Sequence, residues 1–302
     1  MGVRARAWLA VLAALLVAVA GSACGGGSGG GEPAPGHGDR SGGTRSATAP
    51  AGTVPTPAHV LVVVLENKGY DTIVGSPDAP YLNRLARVGA LLTDSHGVAH
   101  PSQPNYLALF SGGTHGVTDD SCPHTIRAAN LASQLRAAHR SFTAYAEGSP
   151  AAGFAGCGNG EYARKHAPWA NFPNVPAGSQ LPFRAFPTDH ARLPDVGFVI
   201  PDLCGDMHDC PVSTGDRWLS ANLGGYVSWA MRHDSLLIVT YDEDEGTGAN
   251  RIPTIVVGQP VRPGRYGGRV DQYTVLRTLE AMYGLRPLGE AAHRRPLTAI
   301  WR

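Results

Sequence analysis

Residues 60–67 read VLVVVLEN, six aliphatic side chains in succession followed by a carboxylate and an amide. An aliphatic run without polar interruption is typical of a strand that is buried on both faces of a parallel sheet. The run therefore predicts a central strand over residues 60–65. It also places Glu66 and Asn67 at the carboxyl end of that strand.

Two further buried strands are predicted to end in acidic residues. Residues 196–200 (VGFVI) are followed after one proline by Asp202, and residues 236–241 (LLIVTY) run directly into Asp242 and Glu243. A fourth strand is predicted over residues 254–257 and ends without an acid, and a weaker strand pattern covers residues 142–146. Helical patterns cover residues 81–88, 131–138, 218–232 and 272–283. Strands that alternate with helices predict an α/β fold, a three-layer sandwich with a mostly parallel central sheet.

Ligands of such sheets bind beyond the carboxyl ends of the strands, where Glu66, Asn67, Asp202, Asp242 and Glu243 would meet. Crowded carboxylates raise one another's pKa, and a bound cation relieves their repulsion. We therefore expect a divalent metal ion at this edge. The alternative is that each acid is a solvated loop residue or a helix cap. The next two acids in the chain, at positions 244 and 245, are not expected to join the site, because side chains alternate along an extended chain.

Residues 100–116 read HPSQPNYLALFSGGTHG and place Ser102 at the start of a helix. Pro104 suits the first helical turn, and residues 105–110 continue the helix until the glycines end it. Ser102 is then either a helix cap or a nucleophile. A helix N-terminus attracts anions, the Asn105 amide would donate to a phosphate oxygen, and a nearby cation would lower the pKa of the serine hydroxyl.

The histidines offer a proton donor for a leaving group. His208 is our candidate, because it follows a strand end and lies close to Asp202 and Asp206; the alternative is an exposed loop histidine. His100 is a candidate for contacting phosphate, whereas His115 is expected to shape a turn. The remaining histidines, with those at positions 96 and 124 among them, are interpreted as structural.

Charge and the N-terminal sequence define the setting of the protein. The 302 residues include 25 basic and 24 acidic side chains, a balance that gives no reason to expect nucleic acid as a partner. Residues 1–24 have the features of an export signal, and Cys24 is placed as the acylated cysteine of a bacterial lipoprotein, with ordinary secretion as the alternative. Residues 25–57 are rich in Gly, Ser and Pro and predict a disordered linker, followed by one domain over residues 58–302.

Four cysteines remain after Cys24, an even number in an exported chain, which predicts two disulfides. The short interval between Cys204 and Cys210 suits a local loop, which would leave Cys122 to pair with Cys157. Three pairings are formally open. A zinc site would need closer paired spacing. The protein is accordingly expected outside the cell, secreted or anchored to the outer face of the cytoplasmic membrane.

Four motifs carry a family resemblance: ENKGYD at 66–71, HPSQPNYLALFSG at 100–112, PDLCGDMHDC at 201–210, and TYDEDEG at 240–246 with NRIPTIVVG at 250–258. Together they resemble the phosphoesterase family of bacterial acid phosphatases and phospholipases C, which has the alkaline-phosphatase-like fold. The resemblance implies that Ser102 becomes a phosphoserine and that Asn105 steadies the phosphoryl group. It also implies that Glu66, Asn67, Asp242 and Glu243 hold the metal alongside Ser102. Oxygen ligands favour calcium, magnesium or manganese over zinc.

The chain departs from the phospholipase C branch in its first motif. That branch continues with His-Tyr-Phe-Gly, whereas here Asp71 is followed by TIVG, and the sequence ends soon after its last predicted helix. We therefore expect a phosphatase that hydrolyses phosphate monoesters of small molecules or of a phosphoinositide head group. The alternatives are a phospholipase C type diesterase and a lipoprotein that binds metal or phosphate without turnover.

Overall fold

The structure, a computed structural model, describes residues 53–302. The predicted export signal with Cys24, and the predicted linker as far as residue 52, lie outside the described residues. The last linker residues already contact the domain, since Val54 packs against the hydrophobic core and Thr56 Oγ1 donates to the Met282 carbonyl at 2.8 Å. Within residues 53–302, no helix has the length and apolar character needed to cross a bilayer.

The described residues form ten strands and six α-helices. The strands are β1 (His59–Leu65), β2 (Ala90–His96), β3 (Phe142–Ala146), β4 (Gly158–Asn159), β5 (Tyr162–Ala163), β6 (Gln180–Pro182), β7 (Val196–Ile200), β8 (Ser235–Tyr241), β9 (Arg251–Gly258) and β10 (Gly264–Asp271). The helices are α1 (Tyr70–Ile73), α2 (Pro80–Val88), α3 (Ser102–Ser111), α4 (Leu131–Ala137), α5 (Val212–Ala230) and α6 (Gln272–Met282). Strands β4 and β5 form a small separate hairpin.

Eight strands form one sheet in the order β10-β2-β9-β8-β1-β7-β3-β6. Strand β1 pairs in parallel with both β7 and β8, so the three carboxyl ends that the sequence singled out lie at the same edge. Strand β9, which contains the predicted strand at 254–257, runs antiparallel to β8 and to β2. The sheet is therefore mixed but mostly parallel.

Helices cover both faces of this sheet. Residues 60, 62 and 64 of β1 belong to the core cluster that contains α3 and α6, whereas residues 61, 63 and 65 belong to the cluster that contains α2 and α5. All six side chains are at most 1% exposed. The three-layer α/β sandwich predicted from the aliphatic run is thereby confirmed.

The structure differs from the prediction at the ends and edge of the sheet. Strands β2 and β10 were not predicted, because β10 (GRYGGRVD) is largely exposed at the sheet edge and neither sequence is a continuous apolar run. Helix α5 begins six residues earlier than the predicted helix at 218–232. Four cysteines can be joined in three ways, and the structure has the one that pairs Cys122 with Cys157 and Cys204 with Cys210.

Candidate active site

Ser102 is the first residue of α3, and its hydroxyl points at two carboxylates. Ser102 Oγ lies 3.1 Å from Glu66 Oε2 and 3.2 Å from Glu243 Oε1. A hydroxyl has one proton to donate, so this oxygen is held between two negative groups. The helix-cap alternative fails, because Pro101 is the N-cap residue of α3 and no side chain makes a cap hydrogen bond there. The Gln103 N–H of the first turn donates to Asp120 Oδ1 at 2.9 Å.

The strand-end acids meet around this serine. Glu66 at the end of β1 is fully buried, and Asp242 and Glu243 at the end of β8 are 1% and 6% exposed. The Asn67 N–H donates to Asp242 Oδ1 at 3.1 Å, which ties the two strand ends together. Asn67 has a φ of 51°, a left-handed conformation that asparagine tolerates better than most residues. Four predicted metal ligands and Ser102 thus share one place.

The electrostatics of the cluster favour a bound cation. Burial, followed by the charges of Asp242 and Asp206, raises the pKa of Glu66 well above its ordinary value. Burial, followed by the charge of Glu243, raises the pKa of Asp242 to about 7. Asp242 Oδ2 is also buried without a hydrogen-bond partner among the described residues. A divalent cation would stabilise the ionised carboxylates and supply that missing partner, so the donor set fits a metal.

Two aromatic residues that the sequence did not assign to the site contact Glu66. The Tyr106 hydroxyl donates to Glu66 Oε1, and the His166 ring stacks on Tyr106 with centroids 5.2 Å apart. His166 Nε2 lies 3.2 Å from Glu66 Oε1 and Nδ1 lies 3.2 Å from Asp206 Oδ2. The sequence predicts a structural role for His166, whereas the structure places its ring in the site. Tyr106 follows Ser102 by four residues, a spacing that puts both on one helix face and would have predicted it.

The loop closed by the Cys204–Cys210 disulfide brings His208 to the site. His208 Nδ1 is hydrogen-bonded to Asp209 Oδ1 at 2.6 Å, and Nε2 lies 3.4 Å from Lys165 Nζ. Ligand atoms of Glu66, His166 and His208 lie within 4.8 Å of one another. The predicted proton donor is therefore beside the acidic cluster rather than exposed on a distant loop.

The two aspartates of this loop have different surroundings. Asp206 is fully buried, its Oδ1 accepts the His208 N–H at 2.8 Å, and its carbonyl accepts the Glu66 N–H at 2.8 Å. Burial raises the pKa of Asp206 to about 8, although the hydrogen bond from His208 opposes the shift. Asp202 Oδ1 instead accepts the Cys204 and Gly205 N–H groups. Asp206 thus supports the site directly, whereas Asp202 shapes the loop.

Asn105 is placed differently from the prediction. Its Oδ1 accepts the Val98 and Ala99 N–H groups, and its Nδ2 donates to the Ala99 and Pro101 carbonyls at 2.9 and 3.2 Å. The amide protons that were expected to contact phosphate are thus already used. Asn105 holds the loop before Ser102 in position, and the predicted phosphate contact is corrected to this supporting role.

An open cleft of about 530 Å³ leads to the site. Among its lining residues, His100 is partly exposed, and its ring is hydrogen-bonded through Nδ1 to Glu243 Oε2 and through Nε2 to the Thr247 carbonyl at 3.2 Å. Its contact with phosphate stays a prediction. Asp244 caps its own turn by accepting the Gly246 and Thr247 N–H groups, as expected for an acid outside the metal cluster. The other predicted turn residue, His115, is bonded to Ser111 Oγ at the far end of α3.

Comparison with known proteins shows where this architecture belongs. The Phosphoesterase family model matches residues 76–286. The chain is 47% identical over 254 residues to a Mycobacterium tuberculosis phosphatidylinositol-3-phosphatase, covering 83% of this chain and 85% of that protein. It is 32% identical over 228 residues to a Penicillium chrysogenum phosphate-repressible acid phosphatase, covering 69% of this chain and 55% of that protein. The chain therefore spans little more than half of the fungal relative.

The fold is also similar to that of solved structures of the alkaline phosphatase superfamily. An alkaline phosphatase superfamily protein from Vibrio parahaemolyticus superposes with a TM-score of 0.52 at 13% identity, over 80% of this chain and 71% of that one. The comparisons confirm the predicted fold and the predicted enzyme class, a phosphoric monoester hydrolase. The chain belongs to the phosphoesterase family.

Proposed function

We propose that this protein is a metal-dependent phosphatase that hydrolyses phosphate monoesters through a phosphoserine at Ser102. The observation that carries the proposal is the position of Ser102 Oγ, 3.1 and 3.2 Å from carboxylates that end two different strands. A serine needs activation before it attacks phosphorus, and both a proton acceptor and a cation site lie within reach of it. The family membership supports the same reaction class.

Glu66, Asn67, Ser102, Asp242 and Glu243 would hold the metal. When bound, the metal would lower the pKa of the serine hydroxyl and offset the negative charge of the incoming phosphate. The buried Asp242 Oδ2, which has no partner among residues 53–302, supports this assignment. Because all five residues offer oxygen atoms, calcium, magnesium or manganese is favoured over zinc.

The reaction has two displacements. Ser102 Oγ attacks phosphorus, the bond between phosphorus and the leaving oxygen breaks, and the serine proton passes to Glu66 or Glu243. His208 donates a proton to the leaving oxygen. Water then attacks the phosphoserine and passes one proton to His208, the bond between phosphorus and Oγ breaks, and the proton held by Glu66 or Glu243 returns to Ser102 Oγ, which releases inorganic phosphate.

We assign the substrate as a phosphorylated small molecule or the head group of a phosphoinositide. The cleft volume of about 530 Å³ suits a ligand of that size. The mycobacterial relative is named for a phosphoinositide, which supports the lipid-borne monoester. The two disulfides and the apolar N-terminal sequence support a location outside the cell, secreted or anchored through Cys24.

The test is turnover of a chromogenic aryl phosphate and of the matching diester, with and without a chelator. We expect the monoester to be preferred, the chelator to abolish activity, and Ser102→Ala to lose it. Ser111→Ala is the matched control, because Ser111 is also a buried serine of α3 but bonds to the Leu107 carbonyl away from the acids. Absence of turnover in every condition would leave only a binding protein, and preference for the diester would contradict the monoester assignment.

A further inference from the structure

Lys165 places an ammonium group beside the candidate active site. Its Nζ donates to Asp120 Oδ2 at 2.8 Å and lies 3.4 Å from His208 Nε2. An ammonium has three N–H donors, and the contacts with Asp120 and His208 use at most two of them, so at least one donor is free among the described residues. The side chain is 21% exposed, which leaves it accessible to a ligand.

Asp120 links this ammonium to the helix that carries the nucleophile. One carboxylate oxygen accepts from Lys165, and the other accepts at 2.9 Å from the Gln103 N–H, one residue after Ser102. The carboxylate therefore fixes the ammonium relative to Ser102. The neighbouring Arg164 does not compete, because its guanidinium donates to three backbone carbonyls and the Asn171 side chain.

The choice of residue at position 165 is unusual for this chain. Its 25 basic residues comprise 23 arginines and two lysines, Lys68 and Lys165. Both lysines lie at the candidate active site, since Lys68 lines the cleft and Lys165 contacts His208. An ammonium is a compact point charge, whereas a guanidinium is a broad planar fork. Lysine at this place therefore indicates a need for the smaller group.

The site also needs a positive charge for its ligand. A phosphate monoester brings negative charge to a cluster that already contains Glu66, Asp242 and Glu243. Burial alone would lower the pKa of Lys165, but the hydrogen bond and charge of Asp120, with the charges of Glu66 and Asp242, raise it. The ammonium thus stays charged where a phosphate oxygen must be stabilised.

A second metal at the nearby Glu66, His166 and His208 atoms would be the other source of charge. His208 Nε2, however, faces Lys165 Nζ at 3.4 Å, so a cation bound to that nitrogen would lie against the ammonium. The ammonium therefore supplies positive charge beside these atoms without a second metal ion.

We propose that Lys165 is a catalytic residue that donates its free N–H to a non-bridging oxygen of the phosphoryl group, and that Asp120 is its positioning residue. The proposal rests on the phosphatase function proposed above. Because the ammonium of Lys165 would contact the transferred phosphoryl group and not the rest of the substrate, the proposal applies to any monoester that the cleft accepts.

The test compares Lys165→Met, Lys165→Arg and Asp120→Asn with wild type. Removal of one donor to a developing charge typically costs about 100- to 1,000-fold in rate, so we expect a loss of about that size in kcat for an aryl phosphate in Lys165→Met. Lys165→Arg should fail to restore the rate. Arg140→Met is the matched control, because Arg140 pairs with Asp195 at 3.0 Å on the exposed surface, and its kcat should stay at the wild-type value.

A second measurement keeps the proposal separate from the overall function. Inorganic phosphate should bind about 10- to 100-fold more weakly to Ser102→Ala/Lys165→Met than to Ser102→Ala, the loss expected for one charged hydrogen bond. If wild type showed no turnover, the proposed function would fail, while this binding ratio would still decide the role of Lys165. Equal phosphate binding in the two proteins, or wild-type kcat in Lys165→Met or Lys165→Arg, would overturn the proposal.

Asp120 is tested by a double-mutant cycle. If it acts through the ammonium, Asp120→Asn should lower kcat, and Asp120→Asn/Lys165→Met should be no slower than Lys165→Met alone. Multiplicative losses would show that Asp120 acts independently and would overturn its positioning role.

Discussion

Replacing Tyr106 by Phe removes one hydrogen bond to the proposed metal-binding cluster and leaves the ring in place. The Tyr106 hydroxyl donates to Glu66 Oε1, and both residues are at most 1% exposed. A hydrogen bond to a charged group contributes about 1.5–3 kcal/mol, and loss of a group that orients a metal ligand lowers metal affinity about 10- to 100-fold. The two ranges agree, since 1.4 kcal/mol corresponds to about tenfold in binding. We therefore expect metal affinity to fall by about 10- to 100-fold, with kcat at saturating metal little changed.

Calorimetric titration of chelator-treated protein with Mn²⁺, Mg²⁺ and Ca²⁺ measures this change. Tyr226→Phe is the matched control, because Tyr226 is fully buried in the other core cluster and its hydroxyl donates to the Leu236 carbonyl at 2.9 Å. It loses a buried hydroxyl without touching the acids, so its metal affinity should equal that of wild type. Unchanged affinity in Tyr106→Phe, or an equal loss in both variants, would refute the reasoning.

Three further variants test stability. The Cys122–Cys157 bridge spans 35 residues and the Cys204–Cys210 bridge spans six, so replacing each pair by serine should cost about 4 and about 2 kcal/mol in the free energy of unfolding. The Cys204/Cys210 variant should lose less stability but more activity, because the shorter loop carries the proposed proton donor. Urea melts measure the stability and kcat measures the activity. A larger loss of activity in the Cys122/Cys157 variant would contradict the assignment. Burial raises the pKa of Glu280 from 4.5 to about 7. The unfolded chain therefore loses this proton first, stability falls as pH rises from about 4.5 to 7, and Glu280→Gln should lessen that fall in melts across this range; an unchanged pH dependence would count against it.

The sequence was most informative where buried strands run straight into polar residues. The aliphatic run of β1 identifies the centre of the sheet. Because β1 and β8 are parallel and each runs directly into an acidic residue, their pairing alone brings Glu66 close to Asp242. The helix signals around Pro104 likewise place Ser102 at the start of α3. These predictions rest on periodicity and strand direction, which are local properties of the chain.

The remaining parts of the site depend on the paths of loops. Asp120, Lys165 and His166 lie outside the long helices and strands, and their positions follow from contacts such as the one between Asp120 and the Gln103 N–H. No local pattern in the sequence encodes that contact. Asn105 is the opposite case, in which a residue type that suits phosphate binding has another role. Both the oxygen and the nitrogen of its side-chain amide are hydrogen-bonded to the backbone of its own loop.

Metal content tests the central claim most directly, that Ser102 and the acids of two strand ends share one divalent ion. Asp242→Asn removes a buried carboxylate of the cluster, whereas Asp216→Asn changes a buried carboxylate that accepts the Tyr81 and Leu82 N–H groups of α2. Elemental analysis after dialysis should find one divalent ion per chain in wild type and in Asp216→Asn, and a clear loss in Asp242→Asn. Full activity without bound metal, or an undiminished metal content in Asp242→Asn, would contradict the account.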